Sequence, residues 1–199
     1  MIERKVYDIE INPQDETGVY AMSMVDFPAI EENFMHFGTS GVMKLGRMEF
    51  QRVDEEKRMV YGPAMIPDKL IYRYDFRTNE EFYVRFRPDV VRDIGMKYMM
   101  QNNHHQNTIM HDYKVWGVTT VESWFIESEQ DKASHLGFNL PVGTWMIGQY
   151  VQNDEVWAKV KAGEVRGFSI ELDALLEKSF FANEAQVLEQ LESLLKEAK

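Results

Sequence analysis

The sequence predicts a mainly β domain of the α+β class. Short alternating or β-branched runs recur along the chain, at 6–11, 19–25, 48–53, 58–67, 70–74, 81–86, 115–126, 143–151 and 168–172. Apolar residues at helical spacing are confined to stretches opening at Pro88, Asn153 and Asn183. Those stretches do not alternate with the strands as βαβ units do. A twisted antiparallel barrel or sheet with helices around it fits this order better than a parallel α/β fold.

Each element has its own reason. Val6–Ile11 alternates apolar and acidic residues, so one face is wet. Val19–Val25 is a strand that ends at Asp26-Phe27-Pro28, since proline cannot continue a ladder. Phe37 to Gly41 reads as a loop, Met48–Val53 as a strand, and Asp54 to Lys57 as a hairpin turn. The next strand, Arg58 to Pro67, is bent by Gly62-Pro63. Leu70–Tyr74 and Glu81–Phe86 are expected to pair across the turn at Arg77 to Glu80.

Pro88 occupies the favoured first turn of a helix whose face is Val90, Val91, Ile94, Tyr98 and Met99. The polar run Gln101 to Gln106 ends it. Val115 to Ile126 is a long strand, Glu127 to His135 a charged loop, and Gly143–Val151 a further strand. Asn153 caps a helix with Val156, Trp157 and Val160 on one face, and Gly163 stops it. A capping box at Asn183 to Gln186 precedes a leucine-striped helix ending near Ala198. The expected division is a β domain over 1–180 and a C-terminal amphipathic helix over 181–199.

Composition excludes several functions. With 199 residues, 44% of them hydrophobic, the chain can bury a sizeable core. A formal net charge of -11 and no Lys/Arg cluster argue against nucleic acid as the partner. Cysteine is absent, which removes thiolate catalysis, disulfides and Cys-ligated zinc. Met1 to Lys5 opens no signal-like apolar run, and no stretch approaches the ~20 apolar residues of a membrane span. The tandem His104-His105 lies in a polar loop and reads as solvated rather than as a metal site.

Two stretches carry chemistry. Gly163 to Glu171 presents Ser169 just past Gly167, on a strand that follows a helix. Thr108 to Gly117 presents His111 at the end of an apolar run. A serine attacks a carbonyl only when a base takes its proton, and histidine is the usual base. Arg166, Gly167 or neighbouring backbone N–H groups are candidate donors to a developing oxyanion. The plain alternatives are an ordinary strand serine and a histidine bonded to backbone. His135 and His36 are weaker bases, and Asp112, Glu122, Glu171 and Asp173 are acids that could complete a triad.

Several stretches together resemble the XkdF-like serine proteases of tailed phages and prophages. These are Gly18 to Glu31, Val60 to Lys69, Glu122-Ser123-Trp124, Leu140 to Trp145, and Gly163 to Glu171. That group is related to prohead maturation proteases and, more distantly, to herpesvirus assemblins. Met110-His111-Asp112 before Val115-Trp116-Gly117-Val118 matches the family's histidine, and Gly167-Phe168-Ser169 its serine. The resemblance implies an assemblin-like antiparallel β-barrel without metal or cofactor. It also implies capsid and scaffold proteins as substrates, action inside the prohead in the host cytoplasm, and a homodimer by analogy with assemblins.

One part of the pattern departs. The relatives carry an acid or histidine on a strand after the serine. The best match here, Tyr20 to Val25, lies before it, as a circular permutation would place it, and holds Ala21 at the key position. Glu122 is then the expected third member. The competing expectation is a catalytically inactive scaffolding or capsid-assembly protein on the same fold, with the leucine-striped helix as its docking element.

Overall fold

The computed structural model describes residues 5–9, 11, 18–26, 35–36, 57–75 and 79–172. Its elements are β1 (Lys5–Ile9), β2 (Val19–Val25), β3 (Met35–His36), β4 (Met59–Met65), β5 (Ile71–Asp75) and β6 (Glu80–Phe86), followed by helix α1 (Pro88–Met100). Then come β7 (Asn107–Ile109), β8 (Tyr113–Lys114), β9 (Val118–Phe125), α2 (Lys132–His135), β10 (Trp145–Val151), α3 (Asp154–Ala162) and β11 (Gly167–Leu172). The chain is mainly β with a few helices, the α+β class expected from its sequence. The strand expected at 48–53, the loop at 37–41, Asp173 and the helix from Asn183 lie outside the described residues.

The described strands make three sheets, ordered β1-β6-β5, β3-β4-β10-β9 and β11-β2-β7-β8, and these do not close into a barrel. Nor is every pairing antiparallel, because β1 runs parallel to β6 and β2 parallel to β7. Both parallel pairs join strands far apart in sequence, which leaves room for the long crossover a parallel pair needs. The expected hairpin forms, with β5 antiparallel to β6 and Ile71 opposite Val84.

One core serves all three sheets. Ile9 and Phe86, Val60 and Ile147, and Met22, Met24 and Phe168 belong to the same buried cluster. α1 starts at Pro88 as its sequence predicts and buries Val90, Val91, Ile94 and Tyr98. Tyr98 meets Trp145 edge to face at 5.4 Å. This close approach needs Gly95, since a Cβ there would lie 2.7 Å from the Phe125 ring and 2.9 Å from the Trp145 ring. α3 is capped by Asn153, whose Oδ1 accepts from the N–H groups of Glu155 and Val156. It ends at Gly163 with φ of 70°.

A buried polar chain fixes β7 against β9 and β10. Gln149 Nε2 donates to Asn107 Oδ1 at 2.6 Å and to Thr120 Oγ1 at 3.1 Å. Asn107 Nδ2 donates to the carbonyl of Val118, and the Tyr98 hydroxyl meets Thr120 Oγ1 at 3.1 Å. Such groups hold one register because an unpaired alternative inside the core costs about 1–3 kcal/mol each.

Two outcomes test this packing. Gly95→Val should lower unfolding free energy by about 2 kcal/mol, because two rigid rings occupy the space, and urea denaturation reads it. Burial pushes the Tyr98 phenol up to about 12. Its folded value is raised, so its contribution is intact below the unfolded value and is lost as pH rises. Between the two values the protein should lose stability faster than Tyr98→Phe, by on the order of 1 kcal/mol for each pH unit.

Candidate functional site

The site is assembled on the β11-β2-β7-β8 sheet. After α3 stops at Gly163, the Arg166 N–H donates to the Val25 carbonyl at 2.7 Å and starts β11 against β2. The register then pairs Phe168 with Met24, Ser169 with Ser23, and Glu171 with Ala21. Phe168 is buried in the core and Ile170 packs against it. Strand alternation therefore puts Ser169 and Glu171 together on the opposite face. On its other edge β2 pairs with β7, and Ser23 stands opposite Thr108. Three hydroxyl side chains thus form a row across three adjacent strands: Ser169, Ser23 and Thr108.

His111 enters from the turn between β7 and β8. Met110 and His111 both have positive φ, 52° and 60°, and the Asp112 N–H donates back to the Ile109 carbonyl at 2.9 Å. Two consecutive left-handed residues make the tight turn that suits strand twist, a place usually taken by Asn or Gly. For Met and His the conformation costs on the order of 1 kcal/mol each. Two hydrogen bonds offset that cost. The Met110 N–H donates to the Met24 carbonyl at 3.0 Å, and the His111 N–H donates to Ser23 Oγ at 3.0 Å.

The imidazole of His111 faces an acid. Its Nδ1 lies 3.3 Å from Glu171 Oε1, and the same oxygen accepts from the Thr108 hydroxyl. The Glu171 side chain is 12% exposed and that of His111 44%. A carboxylate at Nδ1 fixes the tautomer and leaves Nε2 as the nitrogen for proton transfer. Ser169 is half-buried on the same face, while its neighbour Ser23 is fully buried.

The other expected residues lie elsewhere. Glu122 sits on β9 opposite Gly148. Its Oε1 accepts from the Tyr61 hydroxyl at 2.7 Å, and its other oxygen is held by Lys132. Burial works to raise this carboxyl, but the Lys132 ammonium and the Tyr61 hydroxyl outweigh it and hold the group below the ordinary carboxylate range. Burial, and then the Glu122 carboxylate, push the Tyr61 phenol well up. Lys132 also lies 4.6 Å and 4.9 Å from the Tyr61 and Trp124 rings. Glu122 therefore ties β9, β4 and α2 together.

Arg166 turns its Nε onto the Gly163 carbonyl at 2.9 Å, at the C-terminal end of α3, and Gly167 pairs with Val25. His135 Nδ1 lies 3.0 Å from the Asp131 carbonyl, and His36 pairs with Val60 in β3. The rings of His104 and His105 lie 4.2 Å apart at a tilt in a short 3-10 turn, with His105 Nδ1 3.2 Å from Thr119 Oγ1. Among the described residues, no group of three His, Asp or Glu side chains is placed to hold a metal ion. No described helix is long and apolar enough to cross a membrane.

Sequence reasoning named Glu171 among several acids without selecting it, and it missed Thr108 and Ser23. A signal for Glu171 was present. In a strand, Ser-x-Glu places serine and acid on one face, whatever the strand pairs with.

The geometry makes a direct expectation. Neutral His111 should be the Nδ1–H tautomer, with that proton on Glu171, and Glu171→Ala should shift it toward Nε2–H. The ring nitrogen chemical shifts read this, and an unchanged tautomer would mean that the contact does not persist in solution.

A family model described as "Putative phage serine protease XkdF" matches residues 48–175. No curated protein and no solved structure matches the chain.

Proposed function

The chain belongs to the XkdF family of phage serine proteases, and on that premise we propose that it is a capsid-maturation endopeptidase acting through Ser169, His111 and Glu171. One observation carries the residue assignment. The histidine's Nδ1 meets a carboxylate that stands two residues after the serine, on the same face of the same strand.

In this mechanism the His111 Nε2 takes the proton as Ser169 Oγ attacks the scissile carbonyl. The tetrahedral intermediate collapses to an acyl-enzyme, and the imidazolium gives its proton to the leaving amine. Water then repeats the cycle against the ester. Glu171 keeps the ring in the correct tautomer and stabilises the imidazolium. Backbone N–H groups beside Ser169 would serve the oxyanion, in preference to the Arg166 side chain, which is turned onto α3.

The substrates would be capsid and scaffold protein segments, cleaved inside the prohead in the host cytoplasm, with a homodimer as the working assembly. No cofactor enters the chemistry. A circular permutation is supported by β2. It lies antiparallel beside β11, where a strand following the serine through a hairpin would lie, yet it comes from the N-terminal side. The permuted strand's Ala21 motivated the inactive scaffolding reading. Glu171, paired with Ala21, now offers the carboxylate that Ala21 cannot.

The test is co-expression with the cognate capsid and scaffold proteins, with products read by mass spectrometry. Fragments made by the wild type should vanish with Ser169→Ala, and His111→Ala should be at least about 1,000-fold slower. Glu171→Gln should be slowed, whereas Glu122→Gln should cleave normally. Identical products from the wild type and Ser169→Ala would return the scaffolding reading to first place.

A further inference from the structure

The carboxylate of Glu171 has to cross a strand to do what it does. Glu171 is on β11, its acceptor contact with Thr108 is on β7, and β2 lies between them. Adjacent strands are about 4.8 Å apart, so the span from β11 to β7 is roughly 10 Å. A glutamate side chain spans about half of that distance, so it meets the Thr108 hydroxyl only by lying flat along the sheet. Side chains on that face of β2 would block it. The two residues concerned are Ala21, opposite Glu171, and Ser23, opposite Thr108. Both are small, and both are almost wholly covered: Ala21 is 2% exposed and Ser23 0%.

We propose that Ala21 and Thr108 are positioning residues of the site, Ala21 by leaving the path across β2 open and Thr108 by fixing the carboxylate oxygen that His111 faces. This rests on the protease reading for its activity arm but not for its geometry. The Thr108 hydroxyl donates to Glu171 Oε1, the oxygen that Nδ1 of His111 approaches at 3.3 Å. A carboxylate on a flexible three-torsion stem would otherwise sample several rotamers. The hydroxyl selects the one that serves the ring. Thr108 is itself fixed, because Asn107 beside it is anchored to Gln149 and Val118. The alanine that looks like a missing catalytic acid is, on this view, what admits the acid from the neighbouring strand.

Four variants of the full chain test the proposal: Thr108→Val, Thr108→Ser, Ala21→Val and Ala21→Gly. Thr108→Val keeps the shape and loses the donor, so kcat should fall about 10- to 100-fold with KM nearly unchanged. Thr108→Ser should restore most of it. Ala21→Val should cost a similar factor and Ala21→Gly little. The ring nitrogen shifts of His111 read the same geometry without cleavage, and should move toward the Nε2–H tautomer in Thr108→Val and Ala21→Val only. If Thr108→Val matches the wild type in both rate and ring shifts, or if Thr108→Ser is as impaired as Thr108→Val, the proposal is wrong. If Ser169→Ala still cleaves, the protease reading fails instead, and the ring shifts alone decide whether Ala21 and Thr108 position Glu171.

Discussion

The site depends on one register. Ser23 of β2 stands opposite Ser169 on one side and Thr108 on the other. A slip of one residue in either pairing would turn Ser169 or Thr108 to the opposite face, because side chains alternate with a period of two. The register is held from the core side. Met22, Met24, Phe168 and Ile109 belong to the same buried cluster, and a slip would take them out of it. Burial of apolar side chains on one face of the sheet therefore determines which polar groups meet on the other. At about 25 cal/mol per Å² of apolar surface, those large side chains outweigh any single hydrogen bond in the site.

Much of the scaffold was legible in the sequence, for local reasons. Pro88 opening α1, Asn153 capping α3 and Gly163 ending it are signals in which one residue type satisfies one backbone requirement. The paired strands β5 and β6 were legible for the same reason, as apolar runs on either side of a polar turn. Parallel pairing of β2 with β7 was not, because nothing local specifies a partner more than 80 residues away. The strands β7 and β8 were hidden for a different reason. They have three and two residues, too few to show a period, and their turn carries Met110 and His111 in place of the Gly or Asn that would announce it.

The candidate site divides in the same way. Ser169 and His111 stood out because each lies in a recognisable stretch, and the structure brings both to Ser23: Ser169 as its strand partner, His111 through its N–H. The acid did not stand out, because proximity across a sheet is not written along a chain. Glu122 was the expectation, and the structure engages it with Tyr61 and Lys132 on a different sheet. The acid that faces His111 is held by strand alternation and by the two small residues it passes over.

The strained turn gives the arrangement its direction. Left-handed backbone at two consecutive non-glycine residues persists only when surrounding structure over-determines it. Here the Met24 carbonyl and the Ser23 hydroxyl do so, and both belong to the strand that also aligns Ser169. The strand that places the serine thus also fixes the backbone of the histidine. A relaxed turn would free the imidazole from the Glu171 oxygen and release the N–H from Ser23, so the turn, the hydroxyl row and the acid–base contact form or fail together. Ser23 is the shared point. Its buried hydroxyl accepts the His111 N–H while its backbone pairs with both Ser169 and Thr108, which makes it the link between a serine and a histidine that are 58 positions apart in the chain.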